Sequence, residues 1–202
     1  TPGGGAVAID DGDLGFLTQE QFDELTQRVE EWTAVPEFVP PGPSFDITPA
    51  QGKRFLVMPT ASQLPVCHRI AEATVEIAGR FGVEGTYFEN SGGPPGWIPG
   101  FQQAIAQDYD AILLICGIDV DQIAPVVQQA TAAGIAVIDS GLGDTDNGSA
   151  QNPLVTAQTN VPTAESSRRA IDVMLLENRA EPFDILLITS NDVPSGVIMD
   201  KA

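Results

Sequence analysis

The sequence predicts an α/β fold: a doubly wound parallel sheet, preceded by an N-terminal helix and a proline-rich arm and followed by the start of a second, truncated lobe. Three observations carry this. From Lys53 onward, short apolar runs alternate with longer stretches of helical period. The runs are apolar along their whole length, the pattern of strands covered on both faces, and right-handed crossovers between such strands wind the sheet in both directions. Apolar residues make up 43% of the 202 and charged ones 18%, ample for the core of one domain or one and a half.

The N-terminal helix opens at Thr18-Gln19-Glu20-Gln21, a capping box in which the Thr18 hydroxyl accepts from the third helical amide while Gln21 reaches back. Phe22, Leu25, Val29 and Trp32 then make one apolar stripe, which needs a surface to bury it, and the helix ends near Ala34. Pro36, Pro40, Pro41, Pro43 and Pro49 remove backbone donors, so Val35 to Ala50 reads as an extended strap, a linker or a packed arm. Strand Arg54–Pro59 and a helix from Pro65 to Phe81 follow, the helix spaced by Val66, Ile70, Ala73, Ile77 and Phe81. The pair recurs as Gly85–Glu89 with Trp97–Gln107 and as Ala111–Cys116 with Asp121–Ala133, before a strand Ile135–Asp139. Gly141 to Pro153 reads as a polar, glycine-rich loop. A strand from Leu154 to Ala157 running into Gln158-Thr159-Asn160, a helix Thr163–Asn178 and a strand Asp184–Thr189 complete the pattern. The one helix and one strand that follow Asn160 are too few for a domain of ~100–150 residues, so the chain reads as a fragment.

With 9 basic against 28 acidic side chains the net charge is −19. Phosphate backbones and anionic membranes are both bound through clustered Lys and Arg, so the charge argues against nucleic acid and membrane surfaces as partners. The longest apolar run, Ala111 to Cys116, is far short of the ~20 residues of a membrane-spanning helix. Thr1-Pro2-Gly3-Gly4-Gly5 has neither a basic leader nor an initiator methionine and reads as a processed or cloned start.

Open α/β sheets hold ligands at their strand ends, in the crevice where strand order reverses. Ser91-Gly92-Gly93-Pro94-Pro95-Gly96 lies at such a place, but it lacks the Lys and Ser/Thr of a phosphate loop and its prolines delete amide donors; it reads as a plain turn. The glycines from Gly141 to Gly148 mimic a dinucleotide fingerprint with no helix after them, and Val155 stands where a calcium loop would place its bidentate glutamate. Cys67 and His68 are adjacent on a helix and do not face each other, and no serine sits in a Gly-x-Ser-x-Gly elbow. No catalytic residue, metal or cofactor is expected. Cys67 at a helix N-terminus and Cys116 closing the third strand fall at one sheet edge, because the first and third strands of a doubly wound sheet are neighbours. They form a disulfide, line a pocket as two thiols, or merely pack.

Strand KRFLVMPT, the helix start Gln63-Leu64-Pro65, strand DAILLICGID, helix DQIAPVVQQATAAG running into IAVIDS, and the hinge-like LVTAQTN resemble, in order and spacing, the type I periplasmic binding proteins, the ribose-binding and repressor-core family. The strap PEFVPPGPSFD resembles the N-terminal arm of some sugar-transporter binding proteins. The resemblance implies three segments: residues 1–52 as helix and arm, 53–158 as the N-terminal ligand-binding lobe, and 159–202 as a hinge crossing and the start of an incomplete second lobe. It implies a non-catalytic protein, periplasmic or at the cell surface, that holds a small solute between two hinged lobes and, as a monomer, delivers it to the permease of an ABC importer. A ligand-sensing receptor ectodomain and an enzyme on the same fold are the alternatives; a repressor would need a basic helix-turn-helix that the first fifty residues do not offer.

Carried over by position, the resemblance implies ligand contacts from Thr60, Gln63, Val66, Cys67, Cys116, Asp139, Thr159 and Asn160. Thr60 matches a polar contact ending the first strand, and Thr159 a hinge-side contact. Val66 and Cys67 replace the aromatic pair that would stack on a pyranose, and Cys116 replaces an amide at the end of the third strand. The aspartate expected after the fourth strand aligns nearest Gly141, with Asp139 two residues early. Sugars require directed hydrogen bonds and aromatic faces, so this half-site predicts a small organic solute with a substantial apolar portion, with a monosaccharide as the family default.

Overall fold

The computed structural model describes residues 17–35, 37, 42–144, 151–178 and 184. These fall into two compact units, each described by itself: a smaller one holding α1 (Gln19–Thr33) and, from Glu165 on, α5 (Thr163–Glu177), and a larger one holding the sheet.

In the smaller unit the capping box forms as its residues require. The Thr18 hydroxyl accepts from the Gln21 N–H at 3.3 Å, and Gln21 Oε1 accepts from the Thr18 N–H at 2.9 Å. Of the stripe on α1, Leu25 is buried and Phe22, Val29 and Trp32 are half-buried. Within this unit α5 meets α1: Arg28 Nε donates to Asp172 at 3.2 Å, and the Arg169 guanidinium lies 4.9 Å from the Trp32 ring centre.

The larger unit is built on β1 (Arg54–Pro59), β2 (Glu84–Tyr87), β3 (Ala111–Ile115), β4 (Ala136–Asp144) and β5 (Ala157–Val161), all parallel in the order β2-β1-β3-β4-β5. Three helices flank them: α2 (Pro65–Arg80), α3 (Gly93–Ala106) and α4 (Ala124–Ala132). Successive side chains of β1 enter opposite layers. Leu56 and Met58 pack with Ile112, Leu114 and Val137 against Trp97 and Phe101 of α3 and Val127 of α4, whereas Phe55 and Val57 pack with Cys67 and Ala71 of α2. Gly100 lets α3 approach closely, since a Cβ there would lie 2.8 Å from Met58 Sδ and 3.1 Å from the Phe88 ring.

Several elements differ from their sequence expectation. The strap contains one turn of 3₁₀ helix, Thr48–Ala50, with Pro49 in the position where a missing N–H costs nothing. The large stripe of α2 faces outward, with Val66 64%, Ile77 51% and Phe81 49% exposed, because the sheet takes the small side chains Cys67 and Ala71, which let the helix sit close. The Ser91–Gly96 stretch is no plain turn: α3 starts at Gly93, after Gly92 at φ +87°, and its prolines occupy the first helical positions, where they are preorganised. The helix expected over Asp121–Ala133 is divided into a 3₁₀ turn, Val120–Ile123, capped by the Asp119 carboxylate on the Asp121 N–H, and α4.

Strand β4 runs on through Gly141 to Asp144, where a loop is expected, because β5 supplies backbone partners across an irregular register between Ser140 and Asp144. β5 itself starts at Ala157 and not at Leu154: the Asn152 side chain accepts from the Leu154 N–H at 2.9 Å and its carbonyl from the Val155 N–H, closing a turn there. The strand expected over Asp184–Thr189 lies outside the described residues except for Asp184.

Candidate functional site

Strand order reverses between β1 and β3, so the ligand crevice of such a sheet opens beyond Pro59 and Ile115. Two cavities lie there. One, of about 340 Å³, is lined by Thr60, Ala61, Gly92, Gly93, Pro94, Trp97 and Gln122. The other, of about 410 Å³, is lined by Ser62, Gln63, Glu89, Asn90 and Ser91. A wider groove of about 630 Å³ passes the opposite ends of the strands at Lys53, Arg54 and Asp110. There the Lys53 ammonium and then the Arg54 N–H donate to Asp110 and hold its carboxyl below the usual carboxylate range, which fastens β1 to the start of β3.

Thr60 ends β1 inside the first cavity, and its hydroxyl donates between the carbonyls of Ile115 at 3.0 Å and Cys116 at 2.7 Å. Its own carbonyl accepts from the indole N–H of Trp97 at 2.8 Å. Gln63 lines the second cavity and donates to the Ser91 carbonyl at 3.0 Å. Between them Asn90 organises the loop: its amide donates to the Pro59 carbonyl at 2.9 Å and its side-chain oxygen accepts from the Gly92 N–H at 2.8 Å. Sequence reasoning passed over Trp97, Asn90 and Gln122. An Asn ahead of Ser-Gly-Gly is a turn-forming signal that could have identified Asn90.

Cys67 and Cys116 are joined by a disulfide with a Cα–Cα separation of 5.9 Å, which decides among the readings left open, and neither residue lines either cavity. His68 takes no part in thiol chemistry. Its Nδ1 pairs with the Tyr87 hydroxyl at 2.9 Å. Val66 is 64% exposed on the outer side of α2 and lines neither cavity.

Asp139 is in neither cavity but inside β4, fully buried, and among the described residues its carboxyl oxygens have no hydrogen-bond partner. Burial, and then the nearby charge of Asp119, push its pKa up to about 8, so it is chiefly neutral at pH 7. Thr159 is exposed on β5 beside Ser140, and Asn160 is half-buried, accepting from Gln158 Nε2 at 2.8 Å. The structure therefore brings Thr60, Cys67 and Cys116 together, sets Gln63 in the adjoining cavity, and keeps Asp139, Thr159 and Asn160 on the β4–β5 side of the sheet.

No protein-family profile matches the chain, and no curated protein matches it in sequence. Solved structures do match in fold. An ABC sugar transporter subunit from Rhodobacter sphaeroides 2.4.1 is similar with a TM-score of 0.61 at 17% identity, over 75% of this chain and 50% of that one. The periplasmic binding protein component of the arabinose ABC transporter from Shewanella sp. ANA-3, bound to α- and β-L-arabinofuranose, gives 0.60 at 15% identity, over 74% and 48%. A sugar ABC transporter protein from Yersinia enterocolitica subsp. enterocolitica 8081 gives 0.62 at 18%, over 77% and 45%. The match spans about half the length of these structures. Parallel strand order, flanking helices and these likenesses together show that the chain has the fold of a type I periplasmic binding protein lobe.

Proposed function

We propose that this chain carries one ligand-binding lobe of an extracytoplasmic solute-binding protein, non-catalytic, that delivers a small molecule to the permease of an ABC importer. The observation that carries this reading is the pair of cavities at the carboxyl ends of β1 and β2, beside the reversal of strand order, in a fold whose solved neighbours include an arabinofuranose complex. The disulfide fits an oxidising compartment.

The ligand we infer is a monosaccharide. Ser62, Gln63, Glu89, Asn90 and Ser91 make the second cavity polar, and Gln122 adds an amide to the first. This favours a polyhydroxylated solute over the more apolar one expected from Val66, Cys67 and Cys116, since Val66 and the two sulfurs stand aside. Calorimetric titration against pentoses, hexoses and small aromatic or aliphatic acids tests it. Saturable binding of a sugar without turnover is the expected result; binding confined to the acids, or chemical conversion of the sugar, would contradict it.

A further inference from the structure

We propose that the Cys67–Cys116 disulfide sets the shape of the crevice by holding residue 116 in a left-handed conformation, so that reducing it lowers ligand affinity. The affinity part rests on the solute-binding reading above; the conformational part stands on the geometry alone.

Cys116 follows β3 directly and has φ +68°, a region L residues disfavour, and Gly117 after it has φ +69°. The two residues turn the chain sharply at the tip of the strand. Three ties hold the turn: the disulfide to the first turn of α2, the Thr60 hydroxyl on the Cys116 carbonyl at 2.7 Å, and the Gly117 N–H on the Ser140 carbonyl at 2.8 Å. Gly141, at φ +94°, packs so near that a Cβ would lie 3.4 Å from the Gly117 nitrogen. The tips of β1, β3 and β4 are thus interlocked through Cys116. Thr60 passes this on to the cavity, because its carbonyl also fixes the Trp97 indole.

Of the three ties the disulfide alone is covalent, and it is the one an external agent can remove. Cys67 is 3% exposed, and Cys116, partly buried, is the more accessible of the two. A dithiol reductant breaks the S–S bond, giving two cysteine thiols while it is oxidised to its own disulfide; two electrons and two protons are transferred. Residue 116 is then free to leave the left-handed region, Thr60 loses one carbonyl partner, and the strand tips separate.

The test compares the native protein, the same protein reduced by dithiothreitol without denaturant, the double variant Cys67→Ala with Cys116→Ala, and the double variant Cys67→Ala with Cys116→Gly. Each is read by amide exchange at Gly117 and by titration with the sugar that binds most tightly among the pentoses and hexoses. Reduction and the alanine pair should speed Gly117 exchange and weaken binding about tenfold, whereas the glycine pair, for which left-handed backbone carries no penalty, should restore both to within about threefold of native. Native-like exchange and binding in the reduced protein and in the alanine pair would overturn the proposal. So would a glycine pair as impaired as the alanine pair. Should no sugar bind the native protein, the solute reading fails while the exchange comparison still decides the role of the disulfide.

Discussion

The hydroxyl of Thr60 at the end of β1 and the carbonyl of Cys116 at the end of β3 are 2.7 Å apart, and this hydrogen bond crosses the point where strand order reverses. Thr60→Val keeps the shape and removes the hydroxyl, leaving the Cys116 carbonyl short of a partner, and should cost about 1–2 kcal/mol of stability. Thr60→Ser keeps the donor and should cost less. Urea unfolding of the two variants measures the difference; equal losses would show that the methyl group and not the hydroxyl matters.

Asp139 predicts a pH dependence of definite sign. Its carboxyl has an ordinary pKa of 3.8 and one of about 8 in the folded protein. Between these values the native state keeps a proton that the unfolded chain has released, so its stability contribution is lost as pH rises through that window. Asp139→Asn removes the titration and should flatten the curve, with its greatest relative gain at the alkaline end. Unfolding midpoints across the window check this, and an unchanged slope in the variant would refute the assignment.

Two glycines in helices should respond oppositely to alanine. At Gly100 the new methyl would meet Met58 Sδ at 2.8 Å and the Phe88 ring at 3.1 Å, an overpacking expected to cost about 1–3 kcal/mol. At Gly79 nothing lies within 4 Å of the new Cβ, and the substitution should stabilise α2 by about 0.5–1 kcal/mol. Thermal unfolding of both variants gives the two signs.

The outward stripe of α2 makes a third contrast. Ile77→Lys should change stability by no more than about 0.5 kcal/mol, while Ala71→Leu, beneath the helix where Ala71 is wholly buried, should cost about 1–3 kcal/mol. A large loss from Ile77→Lys would mean that this face is covered.

What could be read from the residues and what could not follows from how much each signal depends on tertiary context. The Thr18–Gln21 capping box is local chemistry, and it forms as written. Continuous apolar runs suffice to give buried parallel strands, and with them the adjacency of β1 and β3 that places Cys67 beside Cys116. Periodicity predicted α2 to within one residue, but it marks a stripe without saying which face a sheet accepts; close packing selected Cys67 and Ala71 over Val66 and Ile77. Pro94 and Pro95 counted against a phosphate loop because they lack amide donors, which left the stretch as a turn; in the first turn of a helix those donors are not needed, and α3 begins there, bringing Trp97 to the cavity. Asp139 was read as a strand-end contact, whereas β4 continues beyond it and buries it.

The central claim is that solute is held at the carboxyl ends of β1 to β3. It is tested most directly by mapping amide chemical shifts while the protein is titrated with the sugar that binds most tightly. The account predicts changes concentrated at Thr60–Gln63, Asn90–Gly93 and Cys116–Gly117. Changes concentrated instead at Lys53, Asp110 and Gly134, along the groove at the opposite ends of the strands, would contradict it.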